Sequence, residues 1–185
     1  MLLYRVASYL ASAPTASDPG HPLYLYPRQG SGRWDNPHLY LAMYVASEPT
    51  SAIGEVFAHR SRWNLSMLPF PLIPGSERVL ITYALDEDAH PLLNLDDPKA
   101  LLARNLRPTE VVIRNRPHTQ AVAADIHAEG KWAGISWWSF HRPQWRVHVL
   151  WNHDLEVRRV ESLVGHPATV DAAQTLDKEL ADDLR

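Results

Sequence analysis

The residues best suited to chemistry in this sequence are an arginine, a tyrosine, a glutamate and a serine, and three of them stand at even intervals. Residues 30–34 read G-S-G-R-W; Tyr44 lies eleven residues beyond Arg33, and Glu55 eleven beyond Tyr44. Glycines at 30 and 32 let backbone approach a ligand closely, and Trp34 sets a flat apolar face beside a guanidinium whose planar fork suits bidentate phosphate binding. The competing reading of Arg33 is a loop arginine paired with a surface carboxylate. Glu55 falls near the core side of a helix, where an ionised carboxylate needs a partner or a route to water. Tyr44 sits on a buried strand, either as core packing or as a ligand wall. Ser139 closes the run W-W-S just before a turn. Arg5 follows Tyr4 on the first strand, where an inward-facing arginine requires a partner or an anionic ligand. The set suits a phosphate-bearing ligand, with one carboxylate to stabilise positive charge at a reacting centre.

Other chemistries lack their residues. The chain has no cysteine, which excludes a disulfide framework and a thiolate metal site. Its ten histidines are scattered, none in an H-x-x-x-H or H-E-x-x-H pattern, so no metal site is expected. There is no G-x-S-x-G elbow, no P-loop and no G-x-G-x-x-G after a strand. A formal charge of −3 gives no reason to expect direct nucleic-acid binding. No apolar run approaches the ~20 residues that span a bilayer, and M-L-L-Y-R-V lacks the basic region and cleavage pattern of a signal peptide. With 45% apolar and 21% charged residues, the 185-residue chain is expected to form one globular domain, over 1–185, in the cytoplasm.

The elements that must position these side chains follow from patterning. Strands are expected over Leu2–Ala7, Leu39–Ala46 and Arg78–Leu85, with a short extended segment at Leu23–Tyr26. Ser47-Glu48-Pro49 reads as a helix start with Ser47 as cap, the helix running to about His59. On it Ala52, Glu55, Val56 and His59 share one face, flanked by Ile53 and Phe57. Asp97-Pro98 starts a short helix to about Asn105, and Val111–Arg114 reads as extended. A helix is expected from Pro117, stopped by Gly130 in a left-handed cap. Ala133–Phe140 and Arg146–Trp151 read as strands joined at His141–Pro143, Asp154–Glu161 as an edge strand, and Pro167–Leu184 as an amphipathic C-terminal helix. Strands and helices mix without regular βα alternation, which predicts an α+β fold with a mixed or antiparallel sheet and flanking helices.

Three segments in this order resemble the RES domain, a family named for its arginine, glutamate and serine. They are G-R-W…M-Y-V-A…A-I-G-E within residues 32–55, R-P-H-T-Q-A-V-A over 116–123 and G-I-S-W-W-S over 134–139. The initial Y-R-V is also similar, so the landmarks extend from residue 4 to about 151, with the C-terminal helix beyond them. The resemblance implies an ADP-ribosyltransferase-like fold that binds NAD+ as substrate in a cleft and breaks its nicotinamide–ribose bond, with no resident cofactor. It implies the toxin half of a toxin–antitoxin pair, a helix-turn-helix antitoxin of Xre type that blocks the site, and a homodimer. By matching position, Glu55 is the catalytic carboxylate, with Arg33 beside it; Arg33 and Arg5 contact phosphates and ribose; Tyr44 packs on the nicotinamide or its ribose; Ser139 hydrogen-bonds the dinucleotide. The acceptor stays open: water gives a glycohydrolase, inorganic phosphate a phosphorylase, and a protein side chain an ADP-ribosyltransferase. A catalytically silent nucleotide- or partner-binding module is a further alternative. Arg116, Thr119 and Gln120 also match and are assigned to structure. The chain departs from the family pattern at Asp35, where asparagine is preferred, at Trp138, where proline is usual, and in a long loop from Ala11 to Pro22.

Overall fold

A computed structural model describes residues 1–70, 72–151 and 155–181. Its first strand, β1 (Leu2–Tyr9), is followed by the long loop to β2 (Met43–Ala46), which passes directly into α1 (Pro49–Phe57). Then come β3 (Trp63–Asn64), β4 (Glu77–Ala84), β5 (Leu92–Asn94), α2 (Pro98–Leu102), α3 (Pro108–Val112) and α4 (Arg116–Ala128). The hairpin of β6 (Gly134–Trp138) and β7 (Arg146–Leu150) leads to β8 (Glu156–Ser162), α5 (Pro167–Thr175) and β9 (Leu180–Ala181). Among the described residues, seven strands form one sheet in the order β5-β6-β7-β2-β1-β4-β8, antiparallel except for β5 against β6. The expected α+β, mixed-sheet architecture is therefore present.

Strand parity divides the core in two. On one face, Ile53 and Phe57 of α1, Ile126 of α4 and Ala172 of α5 pack with Leu80, Val147 and Val149. On the other, Leu3, Met43, Val45, Ile81 and Tyr83 are covered partly by Leu23 and Leu25 of the long loop. Ile53 and Phe57 are almost fully buried, each contributing about 1.5–3 kcal/mol by the usual transfer scale.

The strands do not join equally. Eight registered pairs link β1 to β4 and four link β2 to β7, but β1 and β2 meet at one registered pair, Tyr4↔Ala46. The sheet parts along this seam.

Several local expectations are corrected. The Leu39–Ala46 strand begins only at Met43, because Asn36–Tyr40 folds as a turn with Tyr40 bonded to the Trp34 carbonyl at 2.6 Å. Leu23–Tyr26 pairs with no strand and serves as an apolar cover instead. Glu48, not Ser47, occupies the cap position of α1, and the Ser47 hydroxyl bonds His148 Nε2 at 2.7 Å. Val111–Val112 is helical, since Pro108 starts a turn that Glu110 closes by accepting from Arg107 N at 2.7 Å; tertiary capping overrides β-branched propensity. The C-terminal helix stops at Thr175, Asp177 adopts φ +54°, and Leu180–Ala181 pairs in parallel with Trp63–Asn64. Leu184, and Asp154 at the start of the expected edge strand, lie outside the described residues. Gly130 has φ +64°, as a left-handed cap after α4 requires.

Gly54, one residue before Glu55, faces the six-membered ring of Trp145 so closely that a Cβ would overlap it. Gly54→Ala gains helix propensity but must displace a large, nearly buried indole. We expect a net loss of about 1–3 kcal/mol, read as a several-degree fall in thermal midpoint; an unchanged midpoint would contradict the packing.

Candidate active site

The parted seam opens a cleft of about 570 Å³, counting its open mouth. Tyr4 comes from β1, Tyr44 from β2, Ala52 and Glu55 from α1, and Trp137 and His148 from the β6–β7 hairpin. Its walls are mainly aromatic and aliphatic. Glu55 is the carboxylate among the lining residues, brought there because α1 leaves β2 after only two linking residues and Glu55 lies nearly two turns along it.

Glu55 is held in place. Ser139 Oγ donates to Glu55 Oε1, and accepts from the backbone N–H groups of His141 (2.9 Å) and Arg142 (3.3 Å). One donor and two acceptor sites are thus all used, and the serine is 1% exposed. The expected direct hydrogen bond from Ser139 to a dinucleotide has no remaining capacity behind it; the serine ties the carboxylate to the β6–β7 turn.

The G-S-G-R-W loop is built around Asp35. Its buried Oδ2 accepts from Gly30 N (2.9 Å) and Gly32 N (2.7 Å), and its Oδ1 accepts from the Tyr44 hydroxyl at 2.8 Å. Tyr44 in turn accepts from Trp34 N at 2.9 Å. Gly32 is required here, because a Cβ would overlap both Asp35 Oδ1 and the Tyr44 hydroxyl. Three donors converging on one side chain suit an acceptor-only carboxylate better than an amide, which gives the departure at Asp35 a local reason. Thr119 Oγ1 donates to the Arg33 carbonyl at 2.6 Å and Gln120 Nε2 to the carbonyls of Gly30 and Gly32 at 2.9 Å, so both are structural, as assigned. Trp34 is buried, edge-on to Trp137 at 5.5 Å, and fixes the loop rather than offering a face to solvent.

Arg33 does not line the cleft itself. Its Nη1 donates to the carbonyls of Val111 (3.2 Å) and Ile113 at the end of α3. Burial lowers its pKa, Arg116 lowers it further, and Tyr44 and Glu55 oppose the shift, which sets the guanidinium within electrostatic reach of the cleft carboxylate. Tyr44 has its pKa raised well above 10, first by burial and then by Asp35, so the phenol stays a neutral donor.

Arg5 also lines this cleft, but its guanidinium is engaged elsewhere. It pairs with Ile81 in the β1–β4 ladder, between Leu3 and Ala7, which pack into the opposite core cluster. Its Nη1 donates to the Tyr24 carbonyl at 3.2 Å, and its charge opposes the rise that burial imposes on the Tyr83 pKa. As the protein stands, Arg5 braces the long loop against the sheet. The alternation of Leu3, Arg5 and Ala7 carried that signal, but only the β1–β4 register assigns it to a face.

His148 was missed by the sequence reading. It is 3% exposed, its Nε2 bonds Ser47 and its Nδ1 has no partner. Burial lowers its pKa to about 4, with Arg146 adding to the effect. Among the described residues no group of three or more His, Asp or Glu side chains could hold a metal ion, and no helix is long and apolar enough to cross a membrane.

A mostly antiparallel sheet that opens along one seam, with a helix-borne glutamate at the opening, defines a mixed α+β protein. The chain belongs to the RES domain family, whose model matches residues 2–171. A chain of the solved M. tuberculosis MbcT–MbcA toxin–antitoxin complex has a similar fold, with TM-score 0.63 and 18% identity, over 93% of this chain and 88% of that one. No curated protein sequence matches.

Removing the Tyr44 hydroxyl strands two buried groups, Trp34 N and Asp35 Oδ1. Tyr44→Phe is expected to cost about 1–3 kcal/mol and to speed amide exchange at Gly30, Gly32 and Trp34. Protection unchanged at those three amides would refute the knot around Asp35.

His148 predicts a pH dependence. The unfolded imidazole titrates near 6.5 and the folded one near 4. Between those values the unfolded chain takes up a proton that the folded chain refuses, so stability falls as pH drops through that window, by up to about 3 kcal/mol. His148→Gln should flatten that part of the profile in denaturant unfolding at pH 7 and pH 4.5; an equal loss in both proteins would reject the assignment.

Proposed function

We propose that this protein is the toxin of a toxin–antitoxin pair and that it degrades NAD+ by cleaving the nicotinamide–ribose bond, with water or inorganic phosphate as acceptor. The observation that carries the reading is Glu55, fixed by Ser139 in a cleft with aromatic walls. Such a cleft suits a flat heteroaromatic cation, and the carboxylate suits the charge that develops as the ring departs. Membership in the RES domain family and the fold shared with a toxin–antitoxin complex support it.

In this reaction the bond between ribose C1′ and the nicotinamide nitrogen breaks, and its electron pair neutralises the pyridinium. The ribose becomes oxocarbenium-like, and the Glu55 carboxylate stabilises that charge more than the ground state. An oxygen of water or phosphate then attacks C1′ and gives up its proton. Tyr44 forms a wall against the nicotinamide or its ribose, Arg33 contributes positive potential for the phosphates and orients the carboxylate, and Ser139 keeps Glu55 in one position. No resident cofactor takes part. The partner is a helix-turn-helix antitoxin of Xre type that covers the cleft, and the toxin acts in the cytoplasm as a homodimer.

Purified protein is expected to consume NAD+ and release nicotinamide. Glu55→Gln should lower turnover by on the order of 100- to 1,000-fold, Arg33→Ala should abolish it, and Ser139→Ala should cost roughly 10- to 100-fold, each with a preserved thermal midpoint for the Glu55 variant as the control. Product masses with and without phosphate identify the acceptor. Full turnover in Glu55→Gln would sink the catalytic assignment.

A further inference from the structure

Three arginines meet beside the cleft, and two of them have no hydrogen-bond or ion-pair partner among the described residues. Arg116 opens α4 half-buried; its guanidinium makes no hydrogen bond or ion pair, and its Nη1 is closed off from solvent. Arg114, two residues earlier, makes neither kind of contact and stands with Cζ 5.4 Å over the centroid of Phe140. Phe140 is exposed and directly follows the serine that bonds Glu55. Arg33 reaches the same junction from the other side, through the carbonyls of Val111 and Ile113. Thr119 Oγ1 donates to the Arg33 carbonyl at 2.6 Å and so ties the Arg33 backbone to α4, the helix that Arg116 opens.

The carboxylates around this junction are already engaged. Glu110 accepts from Arg107 N and faces His118 at 3.3 Å. Asp35 is saturated by Gly30, Gly32 and Tyr44, and Glu55 is held by Ser139. Arg116 and Arg114 both push the Arg33 proton affinity down, as unneutralised neighbours must. Guanidinium groups brought together with no carboxylate bonded to them cost free energy unless an anion completes them, and their planar forks match phosphoryl oxygens.

We propose that Arg116 and Arg114, with the nitrogens of Arg33 not given to the α3 carbonyls, form a site for a diphosphate group at the rim of the Glu55 cleft. The assignment rests on the nucleotide reading above and names the residues that would take the dinucleotide's bridging phosphates. It moves Arg116 from a structural role to a ligand-binding one, and sets Arg33 within electrostatic reach of both the anion and the Glu55 carboxylate.

The test is calorimetric titration of the full chain with inorganic diphosphate at low salt. The native protein should bind it; Arg116→Gln should bind roughly 10- to 100-fold more weakly, with Arg114→Gln intermediate. Glu55→Gln should bind at least as tightly as the native protein, since it removes a negative neighbour. The thermal midpoint of Arg116→Gln should hold or rise, because the cation has no partner to lose. Absent binding, equal affinity in Arg116→Gln, or a loss of affinity matched by a collapse in midpoint would each overturn the proposal. Arginine-dependent diphosphate binding in a protein that leaves NAD+ intact would sustain this site while refuting the proposed reaction.

Discussion

The separation of β1 from β2 is the constraint on which the rest of the molecule depends. Each strand is fully engaged on its far side, β1 with β4 and β2 with β7, while the near sides meet only at Tyr4↔Ala46. Backbone groups along such an edge must find partners in water or in a ligand, so a seam inside a sheet is tolerated only where something occupies it or solvent enters. The same parting removes side chains that would fill the gap and leaves Tyr4, Tyr44 and Trp137 as walls. Because α1 springs from the end of β2, any change in how β2 sits moves Glu55 with it. The packing of Gly54 against Trp145 then sets how closely the helix approaches the β6–β7 turn, and with it the reach of Ser139 to the carboxylate.

The second constraint is the buried Asp35 carboxylate. A loop with two glycines is entropically costly to fix, and three hydrogen bonds to one side chain offset that cost where no regular ladder exists. Tyr44 joins this knot to β2, so the residue that walls the cleft also fastens the loop carrying Arg33. One phenol therefore couples the arginine's position to the strand's, which explains why Arg33, Tyr44 and Glu55 belong to one unit although only two of them face the cavity.

The sequence made the long elements legible: alternation located β1, β4 and the β6–β7 hairpin, and Gly130 marked the end of α4. It misjudged segments ruled by tertiary partners. Val111–Val112 is β-branched yet helical because Glu110 caps the turn, and the C-terminal helix ends early because Leu180–Ala181 has Trp63–Asn64 to pair with. In the site, Tyr44 and Glu55 were legible from helix and strand periodicity together with the motif, and they do share the cleft. Arg33 and Ser139 come beside them, but the partners that consume their hydrogen-bonding capacity are distant in sequence: Ile113 for one, Glu55 for the other. Arg5 shows the limit most clearly, since a one-residue change of parity decides which face a strand residue joins, and only register supplies it.

A carboxylate that is to stabilise a transient cation gains most if its orientation is settled before the substrate arrives. Ser139 fixes one oxygen of Glu55 and is itself immobilised by two backbone N–H groups, which under the proposed chemistry leaves the other oxygen for the reacting centre. The cationic side of the site is treated in the opposite way. Among the described residues, Arg114 and Arg116 are left without a carboxylate partner, so their repulsion with Arg33 persists in the folded protein. The two arrangements are complementary under the proposed chemistry. The negative group is spent on protein contacts that hold it still, while the positive groups retain the interaction free energy that an incoming diphosphate would release, and that binding energy is what draws the ribose against the carboxylate.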